Sequence, residues 1–353
     1  MAPMMTEVFG NASSIHDFGQ RARQALDEAR RRVAAMIGAK PEEIVFTSGG
    51  TEADNMALFG VSGHVITTTV EHPAVLHAAA QLPEVTMVPV DGRGVVDPRA
   101  VRKAIRPDTR LISVMHANNE LGVIQPVEEI VKIAREAGVL FHSDGVQGPG
   151  KLPVNVKELG VNLYSISAHK IYGPKGIGAL YVRKGTAIRP LLFGGPHERK
   201  ARAGTENVAG AVGFGRAAEW VIERGAAEAT RQGALRDVLE QGILEHVPGA
   251  HVNGAGAARV ANTSNMRFDG IDSEPLLIAL DLKGFAVSSG AACSSGASEP
   301  SHVLLAIGLT REQARSSLRI SLGRANDAAQ VEALIEALAE CVAHLRRLAP
   351  AYA

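Results

Sequence analysis

The chain has 353 residues, 46% of them apolar, and its 37 Lys and Arg balance 37 Asp and Glu to a formal net charge of zero. That length predicts two domains, or a large α/β domain with a smaller one, and the balanced charge argues against a broad basic surface for nucleic acid. The two cysteines exclude a disulfide framework and a four-thiolate metal site, and they fit a reducing compartment. "MAPMMTEVFGNASS" has no charged-then-apolar leader, and no apolar run reaches about 18 residues, so the expectation is a cytoplasmic protein with no membrane span and no nucleic-acid partner.

In chain order, the first two-thirds alternates strand-like and helix-like runs. "RRR" at 30–32 lies on a helical pattern and reads as a solvated face. "EIVFTS" (43–48) is followed by the turn and helix "GGTEADNMALFG", and "HVITTT" (64–69) by "VEHPAVLHAAAQL". "VTMVPV" (85–90), helical "DPRAVRKAI", "RLISVMHA" (110–117) and the helix "PVEEIVKIAREAG" (126–138) come next. "VLFHSD" (139–144), "LYSIS" (163–167) and "GALYVR" (178–183) complete the strands. Strands separated by helices predict a mainly parallel sheet covered on both faces. From about 207 a long Ala-rich helix leads into a second, α+β part ending in "QVEALIEALAECVAHLRRLA". The expected domains are 1–225, large and α/β, and 226–353, small and α+β.

Three patterns fail. "GVQGPGK" (145–151) runs into Leu152 and Pro153 where a P-loop needs Ser or Thr and a helix. "GFGRAA" (213–218) has no preceding strand, and His72 and His77 are five apart, the wrong spacing for zinc ligands on one helix face. No metal site is expected.

Four patterns survive. Lys170 follows the strand "LYSIS" among small residues, where desolvation would favour the neutral amine of a Schiff-base nucleophile; Lys175, between Pro174 and Gly176, is its rival in a solvent-facing turn. Asp144 ends the strand "VLFHSD", where a carboxylate can keep a pyridine nitrogen protonated, and Gln147 is near enough to share its ligand. "TSGGTEADN" (47–55) is a strand–glycine turn–helix junction suited to an anion, with donors available from Thr51, Ser167 and His169. His72, between a strand and the Pro73 helix start, can stack on a flat ring and move protons. Each alone also suits a surface lysine, a turn-capping aspartate, a plain helix start or a structural histidine. Together they converge on pyridoxal phosphate.

These segments, with "NNELG", "RAGTEN", "SSGAACSSG" and "SSLRISLGR", stand in an order that resembles the NifS/IscS-type cysteine desulfurases over nearly the whole chain. The resemblance implies a fold-type I pyridoxal-phosphate enzyme, acting as a homodimer, that removes sulfur from L-cysteine. It implies Lys170 as the Schiff-base lysine, Asp144 and Gln147 on the cofactor ring, and His72 as the stacking base. Gly50, Thr51, Ser167 and His169 resemble the phosphate cradle, with Thr205 reaching across from the other subunit. Asn119 resembles a residue near cofactor and substrate, and Arg319 the clamp on the substrate carboxylate, with Arg324 as its nearest rival. Cys293 resembles the nucleophile that takes the sulfur as a persulfide and passes it to a sulfur-acceptor protein such as an iron–sulfur scaffold. Cys341 lies on the apolar stripe of the last helix and reads as a packing residue.

Only nine residues precede Gly10, so either the N-terminal strand usual in the family is missing or the true start lies upstream; that strand helps close the active site in relatives, so the resemblance implies the fold more firmly than the activity. Two other readings follow from the same residues: a selenocysteine lyase or another fold-type I lyase or aminotransferase, and a non-catalytic sulfur carrier.

Overall fold

The structure, a computed structural model, describes residues 1–289 and 299–348. The chain divides into two compact units, the first comprising Met1–Val88, Asp97–His116 and Gln125–Ala226. The second comprises Pro89–Val96, Ala117–Ile124 and the chain from Ala227 onward.

The first unit opens with helices α1 (Ala2–Thr6) and α2 (Asp17–Met36), followed by β1 (Ile44–Thr47) and α3 (Gly50–Phe59). β2 (His64–Thr68), α4 (Pro73–Ala79), β3 (Val85–Val88), α5 (Pro98–Ala104) and β4 (Thr109–Ser113) come next. Then come α6 (Val127–Glu136), β5 (Leu140–Asp144), α7 (Val156–Leu159), β6 (Leu163–Ser167), β7 (Gly178–Val182) and the start of α8 (Val208–His246). The seven strands form one sheet in the order β1-β7-β6-β5-β4-β2-β3. β3, β2, β4, β5 and β6 pair in parallel, whereas β7 is antiparallel to both β6 and β1. β1, β2 and β6 are buried at every position, which is what near-continuous apolar strands covered on both faces require. Leu58, Val65, Val75, Leu111, Leu163 and Leu180 meet in the core. Four of the five parallel strands finish on polar residues that are nevertheless buried: Thr68, Ser113, Asp144 and Ser167. Those carboxyl ends are where an open α/β sheet binds its ligand.

One helix face departs from its reading as solvated. Arg30 is only 6% exposed and pairs with Glu198 through both guanidinium nitrogens, at 2.6 and 2.7 Å. Arg31 and Arg32 do lie outward and pair with Glu28. The "RRR" run therefore spans two environments, because successive helical residues are about 100° apart.

The second unit contains the end of α8, β8 (Ala250–Val252), β9 (Thr263–Phe268), α9 (Ser273–Leu282), β10 (Ser288–Ser289), α10 (His302–Ala306), α11 (Arg311–Arg315), β11 (Ser317–Ser321) and α12 (Ala328–Leu348). Its antiparallel sheet runs β10-β11-β9-β8. The core includes Leu239, Met266, Phe268, Leu318 and Leu338. Cys341 joins it at 4% exposure, the packing role its place on the apolar stripe suggested. "GFGRAA" lies inside α8, without the strand-to-helix turn that a dinucleotide needs. Among the described residues, no helix is long and apolar enough to cross a membrane.

Candidate active site

The first unit gathers its polar side chains at the ends of β1, β2, β5 and β6. β1 ends at Thr47, whose hydroxyl donates to the Gly49 carbonyl (2.9 Å), and α3 starts immediately at Gly50. Glu52 accepts from the Ser48 backbone N–H (2.8 Å) and pairs with Arg202 at 2.8 Å, fixing this turn from within the helix. Thr51 is exposed on the first turn of α3. A Cβ added at Gly50 would come within 2.7 Å of Val146 Cγ2, so the α3 start closes on the loop after β5 and a side chain there would have to displace Val146.

β5 delivers Asp144 into this loop at 6% exposure. Its Oδ1 accepts from the Val146 backbone N–H at 2.9 Å. Burial pushes the carboxyl above the ordinary aspartate range, while that N–H and the positive charges at His72 and Lys170 pull it back. Gln147, three residues after Asp144, accepts a hydrogen bond from Lys151. Lys151 was passed over with the failed P-loop pattern, and its sequence carried no signal for this contact. Tyr164 is a second side chain that sequence reasoning missed. Its hydroxyl lies 2.7 Å from His116 Nδ1, and a Cβ on Gly145 would meet its ring at 2.0 Å. The bare glycine beside Asp144 is therefore a seat for the tyrosine ring.

β6 ends at Ser167, whose hydroxyl sits 2.8 Å from His169 Nδ1. Burial lowers the pKa of His169, and the nearby charges of Lys170, Lys175 and Lys151 lower it further. Three lysines around one histidine make this corner electropositive. Lys170 itself departs from the expected desolvated position: the 3-10 turn Ala168–Ile171 carries it out of the buried strand row to an exposed place. Lys175 is also exposed. His72 is half-buried as the N-cap of α4, where its Nδ1 accepts from the Ala74 N–H at 3.1 Å. With Thr51, Asn55 and Pro73 it lines a cavity of about 490 Å³. Thr205 is exposed and lines a separate cavity of about 240 Å³ together with Thr47, Ser48 and Gly176.

The other predicted residues belong to the second unit. Asn119 and Arg319 meet there: Arg319 Nη1 donates to the Asn119 carbonyl at 3.1 Å. Arg319 is half-buried on β11, whereas its rival Arg324 is exposed. Cys293 lies outside the described residues.

Residues 1–334 match the Aminotransferase class-V family. The chain belongs to that family. It is 48% identical over 361 aligned residues to the cysteine desulfurase IscS of Dictyoglomus turgidum, covering 99% of this chain and 92% of the relative. It is also 48% identical to the cysteine desulfurase IscS of Methanosarcina thermophila, covering 99% of this chain and 89% of the relative. Among solved structures, a NifS-like protein superposes with a TM-score of 0.90 at 37% identity, covering 98% of this chain and 94% of the other.

Class-V aminotransferases use pyridoxal phosphate, and the first unit fits it. A glycine whose Cβ would press on Val146 opens the α3 start, the Ser167–His169 pair and three lysines offer donors and positive charge for a phosphate, and a buried carboxylate faces the same loop.

Proposed function

We propose that the chain is a cysteine desulfurase that removes sulfur from L-cysteine, giving L-alanine and a persulfide on Cys293. The observation that carries this reading is the 48% identity, over 99% of the chain, to relatives named for that activity. Bound pyridoxal phosphate supplies an electrophilic carbon for the substrate amine and a protonated ring that accepts the electron pair from the α-carbon. Gly50, Thr51, Ser167 and His169 hold the phosphate. Asp144 keeps the ring nitrogen protonated, and Gln147 serves the ring hydroxyl. His72 stacks on the ring, and Lys170 or His72 receives the α-proton. Asn119 and Arg319 bind the substrate, with the arginine fork on its carboxylate. Cys293 acts as a thiolate: its sulfur bonds to the substrate sulfur as the Cβ–S bond breaks.

Further parts of the same reading are a cytoplasmic homodimer in which the exposed Thr205 serves the partner subunit's phosphate, and a domain boundary near residue 226. A sulfur-acceptor protein such as an iron–sulfur scaffold takes the persulfide onward.

The test is incubation of the holoenzyme with L-cysteine, followed by alanine quantitation and intact mass. The reading requires alanine and one added sulfur located on Cys293. Absence of alanine, or undiminished sulfur release by Cys293→Ser, contradicts it.

A further inference from the structure

Arg319 needs something to hold its guanidinium if it is to clamp a carboxylate. On β11 it stands opposite Asn265 of β9 and Ser288 of β10. Its Nη1 is committed to the Asn119 carbonyl (3.1 Å), and its Nε is buried with no hydrogen-bond partner among the described residues. The peptide that accepts from Nη1 is fixed on both sides. The backbone N–H groups of Glu120 and Leu121 both donate to Asn118 Oδ1 at 2.9 Å, and Asn265 Nδ2 donates to the Glu120 carbonyl at 3.3 Å.

The Glu120 side chain turns inward, at 6% exposure. Its Oε2 accepts from the Ser301 hydroxyl, and that hydroxyl accepts in turn from the backbone N–H groups of Val303 (3.1 Å) and Leu304 (3.3 Å), capping α10. The hydroxyl thus has its one donor and both lone pairs in use. Burial lifts the Glu120 carboxyl, against the pull of Ser301 and then of the Arg319 charge, so the arginine is close enough to act on it. A carboxyl at this depth costs free energy unless its surroundings are arranged for it, and none of the roles assigned above uses it.

We propose that Glu120 is a positioning residue for the substrate-carboxylate subsite: it locks the Asn119 carbonyl that holds Arg319, and through Ser301 it sets that carbonyl in register with α10. The inference rests on Arg319 being the carboxylate clamp. With Nη1 held by Asn119, the orientation of the guanidinium is restrained, and the unpartnered Nε is left for an α-amino-acid carboxylate to satisfy. Bidentate recognition depends on that orientation more than on charge alone.

The experiment titrates the holoenzyme's cofactor absorbance with L-cysteine and, separately, with cysteamine, which has the same amine and thiol but no carboxylate. Glu120→Gln and Ser301→Ala are expected to weaken L-cysteine about five- to twentyfold, the scale of a mispositioned charged hydrogen bond, and to leave cysteamine unchanged. Ser301→Thr, which keeps the hydroxyl, is expected to restore L-cysteine affinity and guards against misfolding of the glutamine variant. Equal weakening of both ligands, or unaltered L-cysteine affinity in Glu120→Gln and Ser301→Ala, overturns the proposal. Arg319→Ala separates the two readings. If it weakens L-cysteine alone while Glu120→Gln does nothing, only the role of Glu120 fails. If it too leaves L-cysteine unchanged, the clamp assignment fails and takes the proposal with it.

Discussion

His142 Nε2 lies 3.6 Å from Asp54 Oδ1 with both side chains buried, yet the two do not form an ion pair at neutral pH. Burial drives the imidazole down to about 3 and the Asp54 carboxyl well above its ordinary range, with the charges of Asp144 and Glu71 adding to the latter. The imidazole is held neutral between Ser113 Oγ (2.8 Å) and Ser165 Oγ (3.0 Å). With a neutral imidazole beside it, Asp54 has no ion-pair partner in His142, and its carboxyl is raised first by burial and then by the charges of Asp144 and Glu71. Asp54→Asn should therefore change the free energy of unfolding at pH 7 by less than about 1 kcal/mol and leave cofactor binding intact. Breaking a true buried ion pair would cost about 3–5 kcal/mol, a difference that denaturant midpoints resolve.

Glu71 sets a pH dependence of definite sign. Its Oε1 accepts from Thr68 Oγ1 (2.7 Å) and from the Met115 N–H (3.0 Å), and burial pushes its carboxyl up to about 8. Between the ordinary glutamate value of 4.5 and about 8, the native state keeps a proton that the unfolded chain has released. The native state then binds more protons, so stability falls as pH rises through that window, by at most about 1.4 kcal/mol per pH unit from this group. Glu71→Gln should flatten that slope and gain on the parent at pH 8.5 compared with pH 5.5, as read by urea unfolding at both values. A slope unchanged by the substitution would assign it to other groups.

Arg30 and Glu198 are the opposite case. Besides the paired contacts at 2.6 and 2.7 Å, Arg30 Nη1 donates to the Ile44 carbonyl (2.8 Å), the guanidinium sits 4.6 Å from the Phe46 ring centroid, and the Phe46 N–H donates to Glu198 Oε2 (3.0 Å). The pair ties α2 and β1 to the segment that leads to Thr205. Three successive residues there, Glu198, Arg199 and Lys200, take positive φ (43, 58 and 70°), which side-chain-bearing residues adopt only when their surroundings hold them. Glu198→Ala strands a buried guanidinium and should cost about 3–5 kcal/mol of unfolding free energy, whereas Arg30→Met with Glu198→Leu should recover much of that. A double variant no better than the single one would mean that the backbone contacts, rather than charge burial, set the cost.

These carboxyl groups mark where sequence reading stops. The seven strands of the first unit were legible because each is a short β-branched or apolar run between helix-like stretches. Asp144, Ser167 and His72 were legible because chain order alone puts them at strand or helix ends. Asp54, Glu71, Glu120 and Arg30 look in sequence like surface charges: each sits on a helix or loop whose neighbours are also polar. Burial of a charge depends on what packs over it from distant parts of the chain, such as Ser301 over Glu120 and Glu198 over Arg30. Lys170 shows the reverse error. Its small neighbours suggested burial, but the turn after β6 carries it outward.

Gly50 allows the proposed phosphate cradle to be tested apart from the chemistry. A Cβ there would lie 2.7 Å from Val146 Cγ2 and 3.8 Å from Ser167 Cβ, between two strands' worth of donors. Val146 also donates its N–H to Asp144, so pushing it aside disturbs both the α3 start and the Asp144 carboxylate. A Cβ at the neighbouring Gly49 meets nothing within 4 Å. Gly50→Ala should therefore weaken pyridoxal phosphate about tenfold, the equivalent of one charge-assisted hydrogen bond, while Gly49→Ala should leave it within about twofold. Fluorescence titration of the cofactor-stripped protein measures both, and unfolding midpoints of the stripped variants report any general damage. Equal effects of the two substitutions would show that the cradle tolerates a methyl at Gly50 as well as at Gly49. The phosphate would then be held by Thr51, Ser167 and His169 without need of a bare Gly50.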